Sequence, residues 1–226
     1  LILFTIAATF LLAGAVKGVI GLGLPSVSLA LLTVAIDLPS AMALLLVPSF
    51  VSNLWQASVG GHARVILIRL WPFLLMASIT VWLGAMALAR VNPSLLSALL
   101  GALLVTYSVL SLAGVRFALN PQQELWLGPL LGTVNGILTG MTGSFVVPGV
   151  LFLQAIGLSR EMLIQAMGIL FTVSTMALAV ALQGQHLLSL EVGAASAIGL
   201  LPAVLGMVFG RWLRQCPVDW REGLPA

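Results

Sequence analysis

Lys17 is the only lysine in 226 residues, and it stands inside an apolar run. The chain around it reads Gly14-Ala15-Val16-Lys17-Gly18-Val19-Ile20-Gly21-Leu22-Gly23-Leu24-Pro25-Ser26. A second segment has the same grain: Gly132-Thr133-Val134-Asn135-Gly136-Ile137-Leu138-Thr139-Gly140-Met141-Thr142-Gly143-Ser144, with Pro148 following. Glycines at this density let backbone approach a ligand, and helix ends that open there present N–H groups with partial positive charge. Hydroxyls and amides gather at the same places: Ser26, Ser28, Asn135, Thr139, Thr142 and Ser144. A cation, free N–H groups and neutral donors together suit a small anion. The candidate substrate-binding set is therefore Lys17, Gly18, Gly21, Gly23, Pro25 and Ser26 from the first segment. The second contributes Asn135, Gly136, Thr139, Gly140, Thr142, Gly143, Ser144 and Pro148. Asn53, Gln56 and Gln165 lie within other apolar runs and are candidates to line the same site.

Each of these residues also has a plainer role. An ionisable group in a membrane costs about 2.5–3.5 kcal/mol on insertion scales. Lys17 offsets that cost by meeting an anion, by snorkelling, or by bonding carbonyls freed at the break. Small residues four apart, Gly14/Gly18 and Gly132/Gly136, are also how membrane helices pack closely. The early glycines are expected to pack and the later ones to shape the break. A buried amide needs a partner, so Asn53, Gln56 and Gln165 are either interhelical glue or site lining.

The elements that hold these residues follow from composition. The set AVILMFWYC makes up 61% of the chain, and only 7% is charged. That charge cannot cover a water-facing surface, which excludes a soluble enzyme, a disordered tail and a DNA-binding domain. What remains is an all-α, polytopic transmembrane bundle. The apolar blocks are Leu1–Ala35, Ala41–Val59, Leu70–Ala89, Leu95–Val115, Leu125–Ala155, Met162–Leu182 and Val192–Leu213. Asp37-Leu38-Pro39-Ser40 and Asn92-Pro93-Ser94 carry the cap and proline that open helices. The first and fifth blocks are longer than the rest and are interrupted by the glycine-rich segments. Each glycine costs roughly 1 kcal/mol against alanine in a helix, so both blocks are predicted to be broken helices. Two arms of about 15 residues would each reach only about 22 Å.

The two segments share an offset of 118 residues from Gly14 to Gly132. The correspondence continues through Pro25 and Pro148, His62 and His186, and Leu83-Gly84 and Leu205-Gly206. Residues 1–118 read as a first repeat, a broken hairpin followed by three spans. Residues 119–226 read as a second, a broken hairpin followed by two. The second copy runs out after Leu213, so a further helix and a longer natural chain are expected. The run that opens at Leu1 reads as structure and not as a signal peptide. If each broken block crossed once, the arginines would divide three against five between the two sides. If each turned back as a hairpin they divide seven against one, with Arg90 alone, and the positive-inside rule prefers that arrangement. It makes the two repeats antiparallel, with the amino end outside. Inverted repeats with broken helices at matching positions point to a secondary transporter.

Other residues carry less. Cys216 is the single cysteine, and neither His62 nor His186 has neighbours at metal-ligand spacing, so no metal and no cofactor is expected. The histidines fall at loop positions. The net charge is +3, but the arginines are scattered singly, which argues for loop charges and against nucleic acid. Arg90, Arg160 and Arg211 read as topology charges. Trp71, Trp126, Trp212 and Trp220 read as interface anchors, and Asp37 and Glu161 as helix-opening carboxylates. Ser144 follows a glycine, which superficially suits an intramembrane serine hydrolase. No His, Asp or Glu is placed to serve it, so no catalytic residue is assigned. A membrane subunit that does not transport is the other alternative. The oligomeric state is not legible.

At the two glycine-rich segments the chain resembles the sulfite exporter TauE/SafE family of membrane permeases. The residues that carry the resemblance are Lys17-Gly18-Val19-Ile20-Gly21-Leu22-Gly23-Leu24-Pro25 and Asn135-Gly136-Ile137-Leu138-Thr139-Gly140-Met141-Thr142-Gly143, continuing through Pro148-Gly149-Val150-Leu151. The resemblance implies export or uptake of sulfite, organosulfonates or related sulfur oxyanions, by a multi-pass protein of the bacterial inner membrane. Its partners would then be a small anionic substrate and the lipid bilayer. Leu22, Leu24 and Ser144 interrupt the denser glycine run that family members commonly carry.

Overall fold

The structure is a computed structural model that describes residues 2–115 and 117–215. Arg116, Arg221, Trp220 and Cys216, to which the sequence assigned roles, lie outside the described residues, as does Leu1. Among the described residues the chain forms ten helices and no strand. They are α1 (Ile2–Ile20), α2 (Leu24–Ala35), α3 (Leu38–Ser58), α4 (Ala63–Ile79), α5 (Val81–Leu88), α6 (Pro93–Leu112), α7 (Pro121–Thr142), α8 (Gly149–Ala155), α9 (Arg160–Gly184) and α10 (Leu190–Gln215).

The helices start where capping chemistry allows. The Asp37 side chain accepts from Ser40 N, Asn92 from Ser94 N and Ser159 from Met162 N. Asn120 and Gln123 form a reciprocal capping box at the head of α7. Among the described residues six stretches are long and apolar enough to cross a membrane: Leu3–Ile20, Leu38–Ser58, Ala63–Leu88, Pro93–Leu112, Arg160–Gly184 and Glu191–Gln215. The 22-residue α7 is as long, but its glycines, threonines and Asn135 dilute its apolar character. Large apolar side chains face outward, Val34 and Leu112 each at 89% exposure. Water would not tolerate such a surface; lipid requires it.

Three contacts organise the bundle. α1 packs on α10, α7 on α4 and α5, and α3 on α9. The first two are built from glycine. A Cβ at Gly14 or Gly18 would run into the carbonyl oxygen of Ala203 or Met207. A Cβ at Gly132 or Gly136 would run into that of Phe73 or Ala77. Gly206 and Gly210 press in the same way on Leu11 and Ala15, as Gly84 and Gly140 do on Ile137 and Val81. With lipid on the outside, backbone contact of this closeness supplies the dispersion that holds helices together.

α3 and α9 run antiparallel. Gln56 and Ala57, late in α3, meet Ile164, Gln165 and Gly168, early in α9. Ala43 and Val47, early in α3, share an apolar cavity of about 390 Å³ with Ala179 and Val180, late in α9. The amides lock the crossing: Gln56 Nε2 donates to the Ile164 carbonyl and Gln165 Nε2 to the Ala57 carbonyl, each at 2.8 Å. Gln165 Oε1 also accepts His62 N–H at 2.9 Å. Near the middle of α3, Pro48 has no N–H to offer the Leu44 carbonyl four residues back. Ser196 of α10 fills that vacancy, its Oγ lying 2.7 Å from Leu44 O and 3.1 Å from Val47 N.

Two features differ from the sequence reading. The broken blocks do not divide into equal arms. α1 has 19 residues and α2 has 12, about 29 and 18 Å at the helical rise; α7 has 22 and α8 only 7. The breaks themselves fall at Gly21–Gly23 and Gly143–Pro148, downstream of the packing glycines, as the sequence leads one to expect. The block expected from Leu70 begins at Ala63 and is interrupted at Thr80, whose Oγ1 lies 2.7 Å from Met76 O and 3.0 Å from Thr133 O. Arg64, Arg69 and Trp71 consequently lie on α4 itself. Arg69 makes a two-pronged pair with Glu124 at 2.6 and 2.7 Å and also donates to the Ile156 carbonyl at 2.9 Å.

Candidate functional site

Lys17 sits in the last turn of α1, one turn before the glycines that end the helix. It is only 6% exposed. Its ammonium turns inward to α3, donating to Ser52 Oγ at 3.1 Å and to Asn53 Oδ1. Burial and these partners replace the snorkelling reading, which needs the charge at an interface. Ser49, Ser52 and Asn53 stand at i, i+3 and i+4, one face of α3, and all three are buried. Ser52 Oγ in turn donates to the Ser49 carbonyl at 3.2 Å.

Among the described residues the Lys17 cluster has no counter-charge. The described carboxylates occupy helix starts: Asp37 caps α3, and Glu124, Glu161 and Glu191 lie in the first turns of α7, α9 and α10. The ion pair present among the described residues is Arg69–Glu124. Lys17 thus has only neutral partners there, and a buried cation so placed is left uncompensated in a medium of low dielectric. Asn53 Nδ2 and Ser49 Oγ are also buried without a hydrogen-bond partner among the described residues.

Downstream of Lys17, Gly21 N–H donates to the Lys17 carbonyl at 2.7 Å, closing α1. Gly21 (φ +84°) and Gly23 (φ +117°) take left-handed geometry that a β-carbon disfavours, and a Cβ at Gly21 would meet open space. Gly23 caps α2 with no side-chain bond, and Pro25 in the first turn removes one N–H. Pro25 is buried and Ser26 half-buried. Gly18 belongs to the α1–α10 contact.

The second break is wired differently. Asn135 Oδ1 accepts Gly149 N–H at 2.9 Å, tying the start of α8 back to α7. Thr139 Oγ1 donates to the Ser144 carbonyl at 3.0 Å, and Ser144 N–H donates to Thr142 Oγ1 at 3.2 Å. Side chains of α7 therefore satisfy the backbone that leaves it, as lipid surroundings require. Gly143 (φ +72°) is pressed against Met42 of α3 and Leu29 of α2, so this loop reaches the helix that follows the first break. Phe145, fully buried, packs on Phe171 of α9 with ring centres 5.7 Å apart. Gly136 and Gly140 are spent on the contact with α4 and α5, and Pro148 is half-buried at the head of α8. Asn135 Nδ2 and Ser144 Oγ have no partner among the described residues, so no histidine serves Ser144 there.

Of the three amides expected as glue or lining, Gln56 and Gln165 bond across α3 and α9, while Asn53 joins Lys17. Ser49 and Ser52 escaped the sequence reading. The signal was present in the spacing Ser49-x-x-Ser52-Asn53 within an apolar run, one helical face of polar groups with no interfacial excuse.

Compared with known proteins, no curated protein and no solved structure matches the chain. Residues 6–218 match the family described as Sulfite exporter TauE/SafE, which spans both glycine-rich breaks and every helix that carries the Lys17 cluster. The chain belongs to the sulfite exporter TauE/SafE family.

Proposed function

We propose that this chain is a secondary transporter, of the bacterial inner membrane, for a small sulfur oxyanion such as sulfite or an organosulfonate, and that the anion binds beside Lys17. The observation that carries this reading is the buried ammonium of Lys17, held between α1 and α3 by the neutral acceptors Ser52 Oγ and Asn53 Oδ1 and without a carboxylate partner among the described residues. An anionic substrate supplies the missing charge, and its arrival converts an unfavourable buried cation into a neutral pair.

The transport part of the proposal rests on an inverted repeat. Two features support it: the antiparallel course of α3 and α9, with reciprocal amide bonds, and the matched glycine contacts. Gly14 and Gly18 meet Ala203 and Met207, while Gly132 and Gly136 meet Phe73 and Ala77, four residues apart in every case. Each early helix of one half thus packs on a late helix of the other. Two equivalent halves so interlocked can rock about a fixed site, which is what alternating access demands. Within this reading the first break, with Lys17, Gly21, Gly23, Pro25 and Ser26, borders the anion. The second, with Asn135, Thr139, Thr142, Gly143, Ser144 and Pro148, closes the site against α2 and α3.

The test is sulfite and alkylsulfonate flux in vesicles reconstituted with purified protein. The expected result is flux that is lost in Lys17→Ala and in Gly21→Leu while both variants insert. Undiminished flux in those variants would remove Lys17 from the mechanism.

A further inference from the structure

We infer that Lys17, Ser49 and Asn53 form a cradle of hydrogen-bond donors around a single positive charge, one that selects a singly charged oxyanion over a doubly charged one. The inference rests on the transport reading above and adds which charge state the site accepts.

The valences left open in the cluster can be counted. An ammonium has three N–H donors, and two point at Ser52 Oγ and Asn53 Oδ1, leaving one. Lys17 only donates, so it fixes the Asn53 amide with Oδ1 toward Nζ and the two Nδ2 N–H groups directed elsewhere. Those N–H groups find no partner among the described residues, and neither does Ser49 Oγ. Ser52 is occupied twice, accepting from Lys17 and donating to the Ser49 carbonyl. What remains is the third ammonium proton, two amide protons and one hydroxyl, on side chains that are each at least nine-tenths buried. This set matches the three acceptor oxygens of a sulfonate, which carries a single negative charge and no proton to donate.

The charge count sets the selectivity. On α1 and α3 the charged groups are Lys17 and Asp37, and Asp37 is exposed at the opposite end of α3. α2 has none. On α10, Arg211 abuts Gly18 by its backbone, but its side chain is exposed. One buried cation neutralises a monoanion. A dianion leaves one negative charge uncompensated in a dry site, where desolvation of that charge is not repaid. Size offers no comparable discrimination, because methanesulfonate and sulfate have nearly the same tetrahedral shape.

Calorimetric titration of the full chain in lipid nanodiscs, with methanesulfonate and with sulfate as probes, tests this directly. Methanesulfonate is expected to bind at least about ten-fold more tightly than sulfate, and Ser49→Ala to weaken methanesulfonate about ten-fold through loss of one charge-assisted bond. Asn53→Lys, which adds a second cation, is expected to reverse the preference toward sulfate. Ser49→Ala is the milder change and keeps the test alive should Asn53→Lys not fold. Equal or tighter sulfate binding, together with intact sulfite flux in vesicles, overturns the charge selection and leaves the transport reading standing. Unchanged methanesulfonate affinity in Ser49→Ala removes that serine from the cradle and overturns the inference. Absence of binding by either probe, together with absence of flux, overturns both.

Discussion

Ser196 Oγ lies 2.7 Å from the carbonyl oxygen of Leu44, the acceptor that Pro48 deprives of its helical N–H. A hydroxyl on α10 therefore completes the backbone of α3, and the two helices are joined at the point where α3 is weakest. A proline inside a membrane helix is tolerated only where the freed carbonyl is satisfied again, and here the repair comes from another element.

Ser196→Ala is expected to leave Leu44 O and Val47 N without that partner and to lower stability by about 1 kcal/mol, in the range of a single membrane hydrogen bond. Pro48→Ala restores an N–H at the right position. The pair of substitutions is expected to be milder than Ser196→Ala alone, measured as thermal midpoints of purified protein. Additive losses would show that the hydroxyl acts other than by replacing the missing bond.

The glycine contacts predict a sharp division among substitutions of one chemical kind. Gly136→Ala places a methyl against Thr80 Oγ1 and the Ala77 carbonyl, and Gly14→Ala places one against the Ala203 backbone. In both cases the methyl meets a backbone carbonyl, of Ala77 or of Ala203, which cannot swing away as a side-chain end could. Each change is expected to cost about 1–3 kcal/mol by overpacking. Gly101→Ala on α6 meets open space and is expected to be neutral or stabilising by up to about 1 kcal/mol, since alanine is the better helix former. Thermal scans of the three variants distinguish these outcomes, and equal midpoints would deny that backbone contact holds α1 on α10 and α7 on α4.

Much of this arrangement was legible in the residues. Asp37 and Asn92 announced their helices because capping is local chemistry. The fourfold spacing of Gly14/Gly18 and Gly132/Gly136 announced packing, and the later glycines the breaks. Positions set by long-range geometry were not legible. Nothing in the run from Leu70 to Ala89 shows that Thr80 is drawn toward the Thr133 carbonyl, or that Arg69 reaches Glu124 across 55 residues. Ser49 and Ser52 hid for a different reason. Serines in membrane helices commonly bond their own backbone, as Ser78 and Ser108 do here with Leu74 and Leu104. Only the inward turn of Lys17 separates the cluster serines from that background.

The second break offers a structural test that leaves the cation untouched. Asn135→Leu keeps the volume but removes the acceptor for Gly149 N–H and strands it in a buried loop. A loss of about 1–3 kcal/mol is expected for an orphaned buried donor. Asn135→Asp preserves the acceptor and is expected to retain more of the fold than Asn135→Leu, with the thermal midpoint as readout. A midpoint in Asn135→Leu equal to that of the unmodified chain would mean that α8 is held by Phe145 and its apolar neighbours alone.

Lys17 itself separates function from folding. Replacing a buried charge with an apolar side chain of similar length is often neutral or stabilising, by up to a few kcal/mol, because desolvation is relieved. Lys17→Met is accordingly expected to insert normally, to melt no lower than the unmodified chain within about 1 kcal/mol, and to lose sulfite flux. It also frees Ser52 Oγ and Asn53 Oδ1, which sets a modest opposing cost of about 1 kcal/mol per lost bond. A protein that holds a buried cation for its substrate gives up stability at that position. One that uses the cation as an internal brace does not. If Lys17→Met melts far lower than the unmodified chain, the ammonium is a brace between α1 and α3, and the anion must bind elsewhere.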